Sequence, residues 1–170
     1  MAVLRITRHG EKVLRTVAHP VKELNADIHK LISDMYETMY AAQGIGLAAP
    51  QVNVSLRLAV INVTPEKRRN QFVIINPKIV KREGSISSDE GCLSLPMVGG
   101  AIFKRSEKVT VDALNEKGLP ISITADGLLA RCLQHEIDHL DGKLIINRAP
   151  IKRKLAMAWA IRKLKKEGLW

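Results

Sequence analysis

The chain is poor in cysteine, in long apolar runs and in acid. Two cysteines, Cys92 and Cys132, stand among 170 residues. That excludes a disulfide framework and leaves two thiols, available in a reducing compartment as ligands or core fillers. No apolar run approaches the roughly 20 residues that a membrane-spanning helix needs. The opening MAVLRITRHG lacks the apolar segment of a secretion signal, so a soluble cytoplasmic protein is expected. Asp and Glu number 17 against 27 Lys and Arg, a formal charge of +10. Such an excess favours a polyanionic neighbour, RNA or an anionic membrane, or serves only solubility. The cations collect in KRRN (67–70) and between Arg148 and Lys166. No repeat or low-complexity tract is present, and the length suits one domain with one core.

Periodicity divides the rest. Leu24, Ile28, Leu31, Ile32, Met35 and Met39 predict a first helix over 24–42, capped by Asn25 or Asp27 and ending where Gly44 can turn left-handed. Strands are expected at 58–63, 72–75, 79–80, 108–114 and 119–123, with turns at 64–71 and 115–118. Residues 84–101, rich in glycine and serine, carry no predicted element. Leu129, Leu133, Ile137 and Leu140 form one stripe on a helix that starts after Thr124 or Asp126 and ends near Gly142. A last, basic helix over 150–167 has Ile151, Leu155, Ala158, Ile161 and Leu164 as its apolar stripe. The expected architecture is α+β: a compact single domain over residues 1–170. Short, mainly antiparallel strands would surround a central helix, and a C-terminal helix would follow.

That central helix carries HEIDH at 135–139. His135 and His139 lie one turn apart on one face, where two imidazoles can hold one metal ion. Glu136 between them is placed to handle the proton of a water activated there. A catalytic metal takes a third protein ligand, and cysteines and carboxylates are the candidates. Cys132 lies about 10 Å along the helix axis from His139 and reads as a small buried hydrophobe. Cys92, in EGCLSLP (90–96), can approach from a separate loop. A Cys92 nucleophile with a histidine base is the competing reading, but His9, His19 and His29 stand in unremarkable contexts. Asp138 and Asp141 are close enough to orient the imidazoles or cap the helix end.

Three motifs in this order, GIGLAAPQ (44–51), EGCLSLP (90–96) and HEIDH (135–139), resemble those of the peptide deformylases. The resemblance runs over essentially the whole chain and is similar to the type 1 members of Gram-negative bacteria and related organisms. It implies a monomeric enzyme of the bacterial cytoplasm that removes the formyl group from the N-terminal methionine of newly synthesised polypeptides. It implies Cys92, His135 and His139 as ligands of one divalent metal ion, typically Fe²⁺, with Zn²⁺, Ni²⁺ or Co²⁺ able to occupy the site. Glu136 would be the acid and base. Gln51 and the Leu93 backbone N–H would serve the developing oxyanion, and the Gly46 backbone would border the substrate pocket. Bacterial members dock on the ribosome through the C-terminal helix. The resemblance therefore implies rRNA contact by the cations between Arg148 and Lys166; a solvated charged face is the alternative.

Other readings stay open beside these. Leu47, Leu128 and Leu129 are candidates to line an apolar pocket for a methionine side chain, or they pack the core. Gln51 could satisfy a buried loop carbonyl, and Gly44 and Gly46 could only ease a tight backbone path. Glu90 is expected to pair with an arginine such as Arg131 and hold the cysteine segment to the helix. After Pro96 the chain reads MVGGAIFKRS. Type 1 enzymes have a peptide-holding arginine there, where Gly99 and Gly100 now stand, and Arg105 resembles a less central basic position. The rivals are an HExxH metallo-endopeptidase, against which the cysteine speaks, and a metal-stabilised RNA- or ribosome-binding protein, which requires four protein ligands.

Overall fold

Strands that are apolar on both faces need cover on both sides. β2 (Leu58–Ile61), buried at every position, and the first half of β3 (Phe72–Glu83) make such a surface. The structure is a computed structural model that describes residues 2–96, 98 and 101–170, with Ala101 as backbone alone. β1 (Gly46–Ala48), β6 (Lys108–Leu114) and β7 (Pro120–Asp126) join β2 and β3 in one antiparallel sheet of order β1-β2-β3-β6-β7. α1 (Ala26–Ala41) covers one face, packing Ile32, Met35 and Met39 on Leu47, Leu58, Val60 and Val73. α2 (Gly127–Leu140) covers the other, packing Leu133, Ile137 and Leu140 on Ala48, Ala59, Ile61 and Ile74. β4 (Ile86–Glu90) and β5 (Ala101–Arg105) form a separate antiparallel ribbon. α3 (Ile145–Arg148) and α4 (Ile151–Lys166) close a third apolar cluster around Phe103, with Leu95, Ile145, Met157, Ile161 and Leu164. The α+β expectation holds, with the HExxH helix at the centre. Among the described residues no helix is long and apolar enough to cross a membrane.

Several boundaries differ from expectation for physical reasons. Asn25 caps α1 through a side-chain bond from the Ile28 N–H, and the left-handed residue after the helix is Gln43 (φ 55°), not Gly44. A Cβ at Gly44 would lie 2.9 Å from Leu93 Cδ1, the movable tip of that side chain. The strands expected at 72–75 and 79–80 are one strand, β3. Its register slips at Asn76, which has φ 52° and whose side-chain amide brackets the backbone of Val21. Residues 84–101, expected to hold no element, contain β4. Its sequence ISSDE is mostly solvent-exposed and shows no apolar alternation to read. Asp126 stands at the N-cap of α2 without a side-chain cap bond. The short α3 was not anticipated, and Pro150 is the N-cap of α4. The expected α4 stripe is corrected in part. Ile161 and Leu164 are buried as expected, with Met157 beside them, whereas Ala158 is exposed and Ile151 and Leu155 are 70% and 64% exposed, because the last two share the opposite face with Trp159. The segment after Pro96 that holds Met97, Gly99 and Gly100 lies outside the described residues.

α2 is held by apolar burial rather than by capping, so its core stripe carries its stability. Leu133 is fully buried. Leu133→Ala is expected to lower unfolding free energy by about 2–5 kcal/mol. Urea titration of the metal-free protein checks this, and a change under about 1 kcal/mol would show that the stripe does not anchor the helix.

Candidate metal centre

α2 projects His135 and His139 from one face, and the loop after β4 brings Cys92 to meet them. His135 Nε2 and His139 Nε2 are 3.2 Å apart, and Cys92 Sγ is 3.3 Å from His139 Nε2. The three donor atoms all lie within 4.8 Å of one another. Two metal–nitrogen bonds of about 2.05 Å at a tetrahedral angle would put the nitrogens about 3.3 Å apart, so the residues fit one ion. The set offers three protein donors and leaves a coordination position over, the pattern of a catalytic rather than a structural site. Cys132, buried on α2, aims its thiol at the Ile45 carbonyl instead (3.5 Å) and fills the core as expected.

An arginine orients this cluster, but not the one expected. The Glu90 carboxylate accepts both Nε (2.5 Å) and Nη2 (2.8 Å) of Arg105, and its Oε2 lies 3.2 Å from His135 Nδ1. That contact turns His135 Nε2 toward the shared point. Arg131 forms no ion pair among the described residues and lines the cavity wall. Arg105, read as less central, is the buried hub, since its Nη1 also donates to Asp138 (2.9 Å). Neither Asp138 nor Asp141 touches an imidazole. Asp138 binds Arg105 and Arg148, and Asp141 binds Arg57. Helical geometry explains this, because 138 and 141 fall away from the 135/139 face. Burial alone would raise the Glu90 carboxyl, but the bonds from His135 and Arg105 outweigh it and hold it at about 2.

The cluster opens into a cavity of about 370 Å³ bordered by Ile45, Gly46, Gln51, Leu93, Leu128 and Cys132. Glu136 faces it from α2, buried, with Oε2 lacking any hydrogen-bond partner among the described residues. Burial pushes its carboxyl up to about 7, in the range useful for moving protons at neutral pH. Gly46 makes room for it: a Cβ there would overlap Glu136 Oε1 and come within 2.8 Å of Cys132 Sγ. The Ala48 N–H donates to Gln51 Oε1 (2.8 Å), which fixes the amide so that Nε2 points toward Cys92 (4.0 Å) and Ser94 Oγ (3.3 Å). The Leu93 N–H has no protein partner among the described residues. Of the leucines singled out, Leu128 borders the cavity, and Leu47 and Leu129 do not. Strand alternation turns Leu47 to the α1 side of the sheet, and Leu129 lies a residue round the helix, packed on the central core.

The two histidines compete for protons. Burial disfavours charge on both, yet hydrogen bonds to Cys92 and Glu90 push His135 up to about 10. Burial and the charge on His135 hold His139 well below its ordinary value. The metal-free pair therefore favours a single positive charge, on the His135 side. A metal ligand must be a neutral imidazole, so uptake expels the extra proton. Metal affinity is expected to rise with pH between about 6 and 8, with at least one proton released per ion. Calorimetry in buffers of different ionisation enthalpy measures the release, and pH-independent uptake would contradict this assignment.

Comparison with known proteins agrees with this geometry. Residues 3–154 match the family model described as polypeptide deformylase. A peptide deformylase of Thermodesulfovibrio yellowstonii is 52% identical over 157 residues, 91% of this chain and 94% of that protein. The crystal structure of a peptide deformylase from Legionella pneumophila superposes with a TM-score of 0.93 at 44% identity, covering 98% of each chain. A peptide deformylase from Synechococcus elongatus, solved in complex with actinonin, gives 0.89 at 40% identity over 100% of this chain and 90% of its own. With its Cys–His–His cluster on an HExxH helix, the chain belongs to the polypeptide deformylase family.

Proposed function

We propose that the chain is a metal-dependent hydrolase that removes the formyl group from the N-terminal methionine of newly synthesised polypeptides. One observation carries the reading: the cluster of three metal donors lies at a cavity that Glu136, with Oε2 unpartnered among the described residues, and the oriented Gln51 amide also border. Cys92, His135 and His139 would hold a divalent metal ion, whose Lewis acidity would activate water near neutral pH. Glu136, poised near neutrality, takes the proton from the attacking water and hands it to the leaving amine. The Gln51 Nε2 amide and the Leu93 N–H donate to the oxygen of the formyl group as it gains negative charge. Ile45, Leu93, Leu128 and Cys132 give the cavity an apolar lining suited to a methionine side chain, and Gly46 lets an extended peptide pass close to the backbone. The mixed sulfur and nitrogen donors suit a borderline metal without choosing among Fe²⁺, Zn²⁺, Ni²⁺ and Co²⁺, and we assign Fe²⁺ on the family resemblance.

The rest of the reading concerns partners. We assign α4 to the ribosome, as a face that meets rRNA phosphates while the chain acts as a monomer in the bacterial cytoplasm. α4 carries Lys152, Lys154, Arg162, Lys163 and Lys166, and its outward apolar row Ile151, Leu155 and Trp159 adds contact area. The family match ends at residue 154, so most of α4 stands outside it.

Anaerobically purified, iron-loaded protein is expected to release formate from formyl-Met-Ala-Ser. Glu136→Gln should retain the metal and lose about 100-fold or more in kcat. A folded, fully loaded wild type that releases no formate would overturn the proposed activity. For α4, replacing Lys152, Arg162 and Lys166 together by Glu is expected to abolish salt-sensitive co-sedimentation with ribosomes. Co-sedimentation equal to wild type at every salt concentration would remove the docking role.

A further inference from the structure

We infer that Arg148 is a positioning residue for the metal centre, the outer end of a chain of four charges that fixes the His135 ring. The inference rests on the metal reading proposed above. The chain runs from His135 Nδ1 to Glu90 (3.2 Å), from Glu90 to the Nε and Nη2 edge of Arg105, and from Arg105 Nη1 to Asp138 (2.9 Å). Arg148, the last residue of α3, grips both oxygens of Asp138, with Nε to Oδ2 at 2.5 Å and Nη2 to Oδ1 at 2.6 Å. The side chains of Glu90, Arg105 and Asp138 are 8%, 1% and 9% exposed and that of Arg148 is 36% exposed, so Arg148 is the most exposed of the four charges.

Charge balance gives Arg148 its effect. Two carboxylates face two guanidiniums, and removal of Arg148 leaves the buried Asp138 carboxylate with a single bond among the described residues, the one from Arg105. An under-satisfied buried carboxylate draws its remaining donor toward it. Arg105 holds Glu90 by its other edge, so a shift toward Asp138 loosens Glu90 and with it the His135 ring. Losing a group that orients a metal-bound histidine changes metal affinity by about 10–100-fold. Arg148 acts through two intermediaries, so the low end applies. A lysine restores the charge but not the two-bond grip.

The test uses the full chain loaded with Co²⁺, in wild type, Arg148→Met, Arg148→Lys and Leu164→Ala. Leu164 is buried on α4 and takes no part in the charge chain, so its variant reports simple loss of stability. The readouts are melting temperature, the visible cobalt spectrum, the rate of cobalt transfer to a chelator, and kcat and KM for formate release. Arg148→Met is expected to release cobalt about tenfold faster, to shift the cobalt bands, and to lower kcat with KM little changed. Arg148→Lys should fall between it and wild type. Leu164→Ala should melt earlier yet keep the wild-type spectrum and release rate. If Arg148→Met matches Leu164→Ala in spectrum and release rate, Arg148 is structural only and the proposal falls. A wild type that takes up no cobalt overturns the metal reading and this proposal together.

Discussion

The contact between Arg105 and its two carboxylates holds the centre together. Glu90 ends the ribbon that delivers Cys92, and Asp138 belongs to the helix that delivers both histidines. No covalent link joins these segments, and their separation in sequence is 48 residues from 90 to 138. A buried guanidinium bonded to both sides therefore fixes the distance between the thiol and the imidazoles. Such a hub is costly to desolvate, and its value lies in geometry more than in net stability. A ligand set drawn from two elements holds its shape only if something rigid spans them.

A second constraint is space. Glu136 must be buried to sit near neutrality, yet it must reach the cavity. The sheet accommodates it by placing Gly46 where any side chain would collide with its carboxyl. The same strand turns Leu47 the other way into the core under α1, so one edge strand serves the cavity at one residue and the fold at the next. Gln51 follows from the short helical turn after that strand. The Ala48 N–H claims the amide oxygen, and the donor end of the amide is left facing Cys92.

Legibility in the sequence follows the range of the interaction. β6 alternates buried with exposed or half-buried residues, and its pattern reads directly. β4 does not, because its own sequence, ISSDE, has no apolar alternation, and the ribbon meets the core through Phe103 of β5. α4 has apolar residues on two sides, and periodicity alone selected Ile151 and Leu155, which face solvent. Which side is buried depends on the cluster around Phe103, contributed by a strand far back in the chain.

The sequence by itself determined the donor pair on α2, since helical spacing brings residues 135 and 139 to one face whatever surrounds them, and it determined Glu136 between them. The need for a third donor made Cys92 a candidate, and the motif order added Gln51 through resemblance. Tertiary structure alone decided that Arg105 rather than Arg131 pairs with Glu90, that Asp138 serves the arginines rather than the imidazoles, and that Leu47 and Leu129 belong to the core. The reason is physical. Helix and strand periodicity are local and written in the chain, whereas the partner of a buried charge is set by which segments the sheet and its covering helices bring together.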